Sequence, residues 1–380
     1  MKKIFIISLV FLLIILLFLG VYNFAFKKEN PKNSVMQEQG SQLKKDVIQD
    51  SSNLKIEKII SISEEGVVAS TYDKKLDSII YYSAVDGTVW KSNPDGKNKQ
   101  QVSKDKVMGL KNVIWSPDKS KVLTTINSQG QDKFYQYDNV AQKATPLKEG
   151  LDNAIWDNIG SKIFYKYFDK STNQRTLNIA NPDGSEWKKL VDINFRNILL
   201  AQIPLSASVS FWNYPAAAEE GILQAVGIMG EESRVVFKGR YGADYLWSPD
   251  GSLALISSLD VKNGKKLTIG VIDIDGNYTD LNVPTFASKC VWSSDNKTVY
   301  YALASGIPES AVIPDDYLSG KINTKDTFWK MDITTGKKER ILDLDDITEA
   351  LDATGMFLSP TEDSLYFINK SNKKLYKIEL

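Results

Sequence analysis

The sequence predicts an all-β fold, a seven-bladed β-propeller preceded by one N-terminal transmembrane helix and a flexible linker. Three observations predict the propeller. A Trp-Ser-Pro-Asp motif recurs along the chain, a short strand-like run follows each copy, and Asp-Gly turns join further strands between the copies. A motif that returns about every 40 to 50 residues is typical of a repeat architecture.

The recurring motif, here called the anchor, indicates how each repeat begins. Ser suits the first position of a type I turn and Pro presets the backbone of the second, so a strand ends at the Trp and reverses at once. We expect the Trp, as a large apolar side chain, to pack against the neighbouring repeat. The anchors, from most to least complete, are Trp247-Ser248-Pro249-Asp250, Trp115-Ser116-Pro117-Asp118, Trp292-Ser293-Ser294-Asp295, Leu358-Ser359-Pro360 and Trp156-Asp157-Asn158.

The anchor spacing predicts seven repeats, within a range of six to eight. The four Trp anchors are separated by 41, 91 and 45 residues, and they are Trp115, Trp156, Trp247 and Trp292. The longest interval holds two repeats, with a degenerate anchor near Ala201, and a first repeat is expected near Ser70. Leu358 follows Trp292 by 66 residues. This interval predicts an insertion of roughly 20 residues, found at residues 304–326.

Each repeat is predicted to contain four short strands, and the last repeat lacks one of these strands. Asp-Gly pairs such as Asp275-Gly276 supply the positive φ that a tight hairpin needs, and they lack the further carboxylates and the closing Glu of a calcium loop. After Leu358 only two strands follow, whereas the strand-like residues 54–62 belong to no repeat of their own. We expect that first strand to complete the last blade and close the ring.

Composition excludes several classes of site. The 47 basic and 47 acidic residues balance, so no basic surplus favours nucleic acid. The chain has no histidine, which excludes Ser-His-Asp and Cys-His sites and histidine-ligated metals. The single cysteine, Cys290, cannot form an internal disulfide and reads as a buried apolar residue. Ser116 and Lys119 form a Ser-x-x-Lys match inside a turn, so we predict no catalytic residue, cofactor or metal ligand.

Residues 1–26 predict a membrane anchor. After Met1-Lys2-Lys3 the chain is apolar for about 23 residues, enough to span a bilayer. A cleaved signal peptide needs an Ala-x-Ala-like site, and Val21-Tyr22-Asn23-Phe24 stands there instead. We therefore expect a single-pass protein of the cell membrane with its C-terminal domain, residues 54–380, outside the cytoplasm. Residues 27–53 are polar and of mixed charge, which is typical of a flexible linker.

The insertion carries the residues that we predict to bind a partner. Apolar and aromatic side chains stand beside paired carboxylates, a mixture that suits an interface core with a polar rim. The predicted partner-binding residues are Ile307, Ile313, Asp315, Asp316 and Tyr317. The partner would be another envelope or extracellular protein. The alternative is a loop that folds back to cover the channel or the side of the propeller.

The anchors at residues 115, 247 and 292 resemble the WD-like repeats of TolB-type β-propellers, and similar repeats build the propellers of prolyl-oligopeptidase-type enzymes. The resemblance implies a propeller over residues 54–380 that serves as a protein-binding platform. In the peptidases a separate hydrolase domain carries the catalytic Ser, Asp and His, and no Gly-x-Ser-x-Gly occurs here. We therefore expect a non-enzymatic binding platform.

The alternative is an enzyme, a carbohydrate- or peptide-processing hydrolase or lyase that uses carboxylates or serine on the propeller face. A cluster of carboxylates with perturbed pKa values in the central funnel would distinguish such an enzyme from a binding platform.

Overall fold

The computed structural model describes residues 58–380, so the predicted anchor (residues 1–26) and linker (residues 27–53) lie outside the described residues. Within residues 58–380, no helix is long and apolar enough to cross a membrane. The described elements are 27 β-strands, one four-residue α-helix and two short 3-10 turns. The prediction of an all-β fold is therefore confirmed.

The strands form antiparallel sheets of neighbouring segments, because each short connection returns the chain beside the strand it has just left. Three four-stranded sheets come first in the chain. Their strands are β2 (Val67–Asp73), β3 (Ser78–Ser83), β4 (Val89–Ser92) and β5 (Gln100–Ser103); β6 (Leu110–Trp115), β7 (Lys121–Ser128), β8 (Gln131–Asp138) and β9 (Lys143–Pro146); β10 (Leu151–Trp156), β11 (Ile163–Asp169), β12 (Gln174–Ala180) and β13 (Lys188–Asp192).

A seven-stranded sheet follows, in which one long strand serves two units. Its strands are β14 (Ile198–Gln202), β15 (Ser208–Asn213), β16 (Glu220–Gly227), β17 (Arg234–Trp247), β18 (Leu253–Leu259), β19 (Leu267–Asp273) and β20 (Tyr278–Val283). The first half of β17 pairs with β16 and the second half pairs with β18. Gly239 and Gly242, with φ of 99° and 57°, lie between the halves. β17 is thus the last strand of one four-stranded unit and the first of the next.

The remaining strands complete two further four-stranded sheets. They are β21 (Cys290–Trp292), β22 (Thr298–Leu303), β23 (Thr327–Asp332) and β24 (Lys338–Arg340); β25 (Ala353–Leu358), β26 (Ser364–Asn369) and β27 (Leu375–Glu379), with β1 (Ile59–Ser61) as the fourth strand. Ile59 of β1 pairs with Ile378 of β27. The predicted completion of the last sheet by the first strand is confirmed, and the pairing covers an edge that would otherwise be open.

The anchor tryptophans join each unit to the one before it. The indole N–H of Trp156 donates to the carbonyl oxygen of Ile114 at 2.8 Å, and that of Trp292 donates to the carbonyl oxygen of Leu246 at 3.0 Å. Trp115 donates in the same way to Ala69. Since these bonds cross from one unit to the next, the predicted packing of the anchors against the neighbouring repeat is confirmed.

The insertion, residues 304–326, connects β22 to β23 and contains the helix α1 (Asp315–Leu318). It packs against residues from other units, forming a buried apolar cluster. The members of this cluster are Ala217, Leu259, Leu267, Phe286, Ala311, Ile313 and Tyr317. The insertion therefore folds back over the ends of several units, which was the alternative left open for it. Cys290 is buried, as predicted.

Candidate functional site

The five residues predicted to bind a partner are mostly engaged within the chain. Ile313 and Tyr317 are 5% and 3% exposed. Asp315 accepts a hydrogen bond from the backbone N–H of Ala217, and Asp316 accepts one from the N–H of Val312. Ile307 packs partly buried against the same cluster. Apolar neighbours cover Ile313 and Tyr317, so these two side chains are not accessible from the surface. Binding of a partner by the insertion stays a prediction.

A buried ionic network lies beneath the insertion. Lys289 Nζ is 2.6 Å from a carboxylate oxygen of Asp326 and 2.6 Å from one of Asp352, and all three side chains are 0% exposed. Tyr317 of the insertion donates its hydroxyl to Asp352 at 2.9 Å. Burial raises the pKa of Asp326. Burial opposes the charge of Asp352 as well, but bonds from Lys289, Tyr317 and Thr324 hold its pKa low. The network connects the insertion to the starts of two inner strands, β21 and β25.

A polar cleft opens at the ends of the first strands of several units. First strands of neighbouring units lie against one another, which makes them the innermost strands. Two cavities of about 290 and 280 Å³ meet at Asp152 and Asn153. Together they are called the inner cleft. Its polar lining residues are Lys111, Asn112, Thr125, Asp132, Asp152, Asn153, Lys166, Asn197 and Tyr214.

The floor of the inner cleft holds a carboxylate and a lysine in direct contact. Lys166 Nζ lies 2.6 Å from Asp152 Oδ2, and it also donates to the carbonyl oxygen of Arg196. The lysine side chain is 1% exposed, whereas that of Asp152 is 45% exposed to the cleft. Partial burial raises the pKa of Asp152, although the bond and charge of Lys166 act against it. Asp152 is therefore a carboxyl with a raised pKa that a ligand can reach.

A second perturbed carboxylate stands on another inner strand, two units further along the chain. Asp244, in the second half of β17, accepts hydrogen bonds from the indole N–H of Trp212 and the backbone N–H of Tyr245. Burial raises the pKa of Asp244 to about 6. Burial also raises the pKa of Tyr214, and the charges of Asp244 and Asp315 add to that shift. Tyr214 lines the inner cleft, where the charges of Asp244 and Asp315 therefore act on it.

Asp152 and Asp244 are carboxyls of raised pKa on two inner strands, and of the two only Asp152 lines the inner cleft. Within residues 58–380, no group of three or more His, Cys, Asp or Glu side chains is placed to hold a metal ion.

Sequence reasoning missed these residues, although a signal for them exists. Lys111 and Asp152 each precede an anchor Trp by four positions, and Asp244 and Lys289 each precede one by three. These positions begin the innermost strands, where side chains from different units converge. An ionisable residue in a strand that otherwise reads as buried therefore indicates a central site.

The comparisons with known proteins establish the fold. No family model and no curated protein matches the chain. An oligogalacturonate lyase from Vibrio parahaemolyticus is 11% identical, with a TM-score of 0.61 over 84% of this chain and 93% of that one. An oligogalacturonate lyase in complex with manganese is 11% identical, with a TM-score of 0.59 over 85% and 93%. The β-propeller domain of the Trilobed protease from Pyrococcus furiosus is 11% identical, with a TM-score of 0.52 over 79% and 91%.

The chain therefore has a β-propeller fold, as predicted, and TolB proteins are among the solved structures to which it is similar. TolB from Acinetobacter baumannii matches with 12% identity and a TM-score of 0.46 over 72% of this chain and 62% of that one.

The expectation that the chain is not an enzyme is corrected by the two lyases. This fold covers 93% of each lyase chain, so a propeller without an attached hydrolase domain can be an enzyme. The absence of histidine and of Gly-x-Ser-x-Gly excluded only catalytic sites that depend on histidine or on that serine motif. It gave no information about carboxylates on the propeller itself.

Proposed function

We propose that this protein is a seven-bladed β-propeller enzyme that binds and cleaves an acidic oligosaccharide in the inner cleft. The observation that carries the proposal is Asp152, an accessible carboxyl of raised pKa that lies against the buried Lys166. The two lyases with the same fold act on oligogalacturonates, which supports the choice of substrate class. Seven blades result when β17 is counted as a strand of two blades and β1 as the fourth strand of the last blade.

The lining of the inner cleft suits a saccharide. The amides of Asn112 and Asn197 offer donors and acceptors for sugar hydroxyls, and Asn153, whose Nδ2 donates to the carbonyl oxygen of Ile198, offers its amide oxygen. Tyr214 is 42% exposed and presents an aromatic ring on which the apolar side of a sugar can stack. Arg196, exposed beside the cleft, carries the planar guanidinium that matches a carboxylate. Amide, aromatic and guanidinium groups together favour a uronate unit.

The chemistry assigned to the inner cleft is proton transfer. Cleavage by elimination removes the proton next to the uronate carboxylate, forms a carbon–carbon double bond, and breaks the bond to the leaving sugar oxygen, which takes up a proton. Asp152 is assigned as the base, because a carboxylate of raised pKa accepts a proton more readily. Lys166 holds Asp152 in place and provides a positive charge beside the negative charge that develops. The described residues offer no cluster for a metal ion, and no step is assigned to one.

The test is cleavage of galacturonate oligosaccharides by the full-length chain in detergent. We expect an unsaturated product, followed by its ultraviolet absorbance, and a loss of about 100-fold or more in kcat/KM for Asp152→Asn. Asp192→Asn is the matched control, because Asp192 pairs with Lys189 at an exposed site outside the cleft. If the parent chain yields no product, or Asp152→Asn is as active as the control, the proposal is wrong.

We also propose that residues 1–26 anchor the enzyme in the cell membrane and that the propeller lies outside the cytoplasm, near another envelope or extracellular protein. The support is the apolar run after Met1-Lys2-Lys3. A protease added to intact cells should degrade the propeller, whereas alkaline extraction should leave the chain in the membrane fraction. A protected or extractable chain would contradict this placement.

A further inference from the structure

The ionic network beneath the insertion brings an amine and two carboxyl groups together where water does not reach. Lys289, Asp326 and Asp352 immediately precede β21, β23 and β25. Lys289 Nζ lies 2.6 Å from Asp326 Oδ2 and 2.6 Å from Asp352 Oδ1, and all three side chains are 0% exposed. None of the three lines the inner cleft, so the proposed catalysis does not use them.

The surroundings of Asp352 favour its charged form. Its Oδ1 accepts hydrogen bonds from the hydroxyl of Tyr317 at 2.9 Å and from that of Thr324 at 3.0 Å. Its Oδ2 accepts another from the backbone N–H of Thr324 at 3.2 Å. Burial opposes the charge of Asp352, but these bonds and Lys289 hold its pKa below the ordinary value. Asp352 is therefore a buried carboxylate in direct contact with the amine.

The surroundings of Asp326 favour its neutral, protonated form. Its Oδ2 lies against Lys289 and accepts the backbone N–H of Ala353 at 2.7 Å. Its Oδ1 is buried and has no hydrogen-bond partner among residues 58–380. A charged carboxylate with such an oxygen is costly, and burial raises the pKa of Asp326. The cluster thus pairs one amine with one carboxylate base and one uncharged carboxylic acid.

We propose that Lys289 and Asp326 condense to an intramolecular isopeptide bond, an amide between the two side chains, and that Asp352 promotes its formation. Asp352 takes one proton from the ammonium group of Lys289, and the freed amine nitrogen attacks Cγ of Asp326. The N–H of Ala353 stabilises the negative charge that develops on Oδ2. The Cγ–Oδ1 bond then breaks, and Oδ1 leaves as water with its own proton and one from the nitrogen. One amide, one water molecule and a protonated Asp352 result, so no further reactant is needed.

The apolar surroundings favour this condensation. The ring of Tyr317 lies 5.1 Å from Lys289 Nζ and stacks on Phe286, with 4.1 Å between ring centroids. Burial disfavours the ammonium form of a lysine and thereby activates it as a nucleophile. Exclusion of water also removes the reactant that would hydrolyse the amide. Since the reacting groups are already held in contact, the step does not depend on their chance encounter.

The bond gives the chain a covalent constraint that its cysteine content does not allow. Cys290 is the only cysteine in the sequence, so no internal disulfide forms. Lys289 and Asp326 are 37 residues apart, and the segment between them holds the insertion. A cross-link over a segment of this length restricts the unfolded chain, as a disulfide does. The bond therefore holds the insertion and two strands of one blade together.

The test is the mass of the full-length chain, purified in detergent, denatured and measured by mass spectrometry. We expect a mass below the sequence mass by one water molecule, and one branched peptide that joins the segments of Lys289 and Asp326 after proteolysis. Asp326→Asn should form the same bond with loss of ammonia, because the amide nitrogen then leaves. Lys289→Arg lacks the amine and Asp352→Asn lacks the base, so both should keep their full sequence mass.

A second lysine–carboxylate contact in the same chain is the internal control. Lys166 Nζ lies 2.6 Å from Asp152, and the lysine side chain is 1% exposed, as at the proposed cross-link. Asp152, however, is 45% exposed, so water reaches the carboxyl group. We expect no branched peptide at Lys166, because contact without exclusion of water should leave an ion pair.

Each outcome decides a separate point. A parent chain of full sequence mass without a branched peptide overturns the proposal and leaves the network ionic. A bond that still forms in Asp352→Asn overturns the role of Asp352 as the base, and a second branched peptide at Lys166 overturns the role of burial. The parent mass decides the main point even if a variant fails to fold. None of these results depends on whether the chain cleaves a saccharide.

Discussion

Replacing Trp247 with Ala tests whether the anchors hold the blades together. Trp247 is 6% exposed and belongs to a buried cluster that includes Trp212 and Tyr245. Truncating a buried aromatic residue costs about 3 to 5 kcal/mol, through lost transfer energy and the cavity left behind. The indole N–H also donates to Ser210 Oγ at 2.9 Å. Since Ser210 Oγ still donates to Ala201, losing that bond leaves no buried hydroxyl unpaired and adds little.

The assay is thermal and urea-induced unfolding. The roughly 320 described residues unfold with an entropy of about 2.1 cal/mol/K each, so 1 kcal/mol corresponds to about 1.5 °C. Trp247→Ala should therefore lower the midpoint by about 4 to 8 °C. Trp115 occupies the same place in its repeat but is only partly buried, so Trp115→Ala should cause a smaller shift.

Trp187→Ala is the matched control, because it removes the same side chain from an exposed position. Trp187 is 46% exposed and contacts Tyr167 and the ammonium group of Lys148, which lies 3.7 Å from the ring centroid. Loss of such an exposed cation–π contact costs about 0.5 to 1 kcal/mol. If Trp247→Ala lowers the midpoint no more than Trp187→Ala, the anchors do not form the core between blades and the reasoning fails.

The remaining predictions concern pH and ring closure. The pKa of Asp244 in the folded protein, about 6, lies above its ordinary value of 3.8. The folded state therefore binds the proton more tightly than the unfolded state does. The free energy of unfolding falls by about 3 kcal/mol in all as the pH rises between these two values. Asp244→Asn should abolish this fall in the urea midpoint measured between pH 4 and pH 7; an unchanged slope would assign it to another group. Removing residues 1–53 leaves β1 intact and should give a folded domain. Removing residues 1–63 leaves the outer edge of β27 unpaired and should promote aggregation, measured by light scattering. Equal scattering and equal midpoints for the two truncations would contradict closure by β1.

Local signals allowed the sequence to predict much of the fold. The Ser-Pro-Asp turns, the Asp-Gly hairpins and the anchor tryptophans each specify structure within a few residues, and repetition made them visible. Ser248 Oγ bonds Asp250 at 2.7 Å within the turn, as the motif predicts. The missing strand of the last sheet followed from counting alone, and β1 supplies it. Repetition did not predict that two units share β17, because that depends on how one long strand bends.

Only the tertiary structure determined the site. Asp152 and Lys166 meet because two strands of one unit lie side by side, and Asp315 accepts a hydrogen bond from Ala217 across 98 residues of chain. The raised pKa of Asp152 arises from burial by surrounding units, which no local pattern encodes. The insertion was recognisable by its length, but whether its aromatic residue faces a partner or the protein depends on the cavity that its neighbours form. Turns and repeats follow from short-range geometry, whereas a site follows from where distant side chains converge and how much water reaches them.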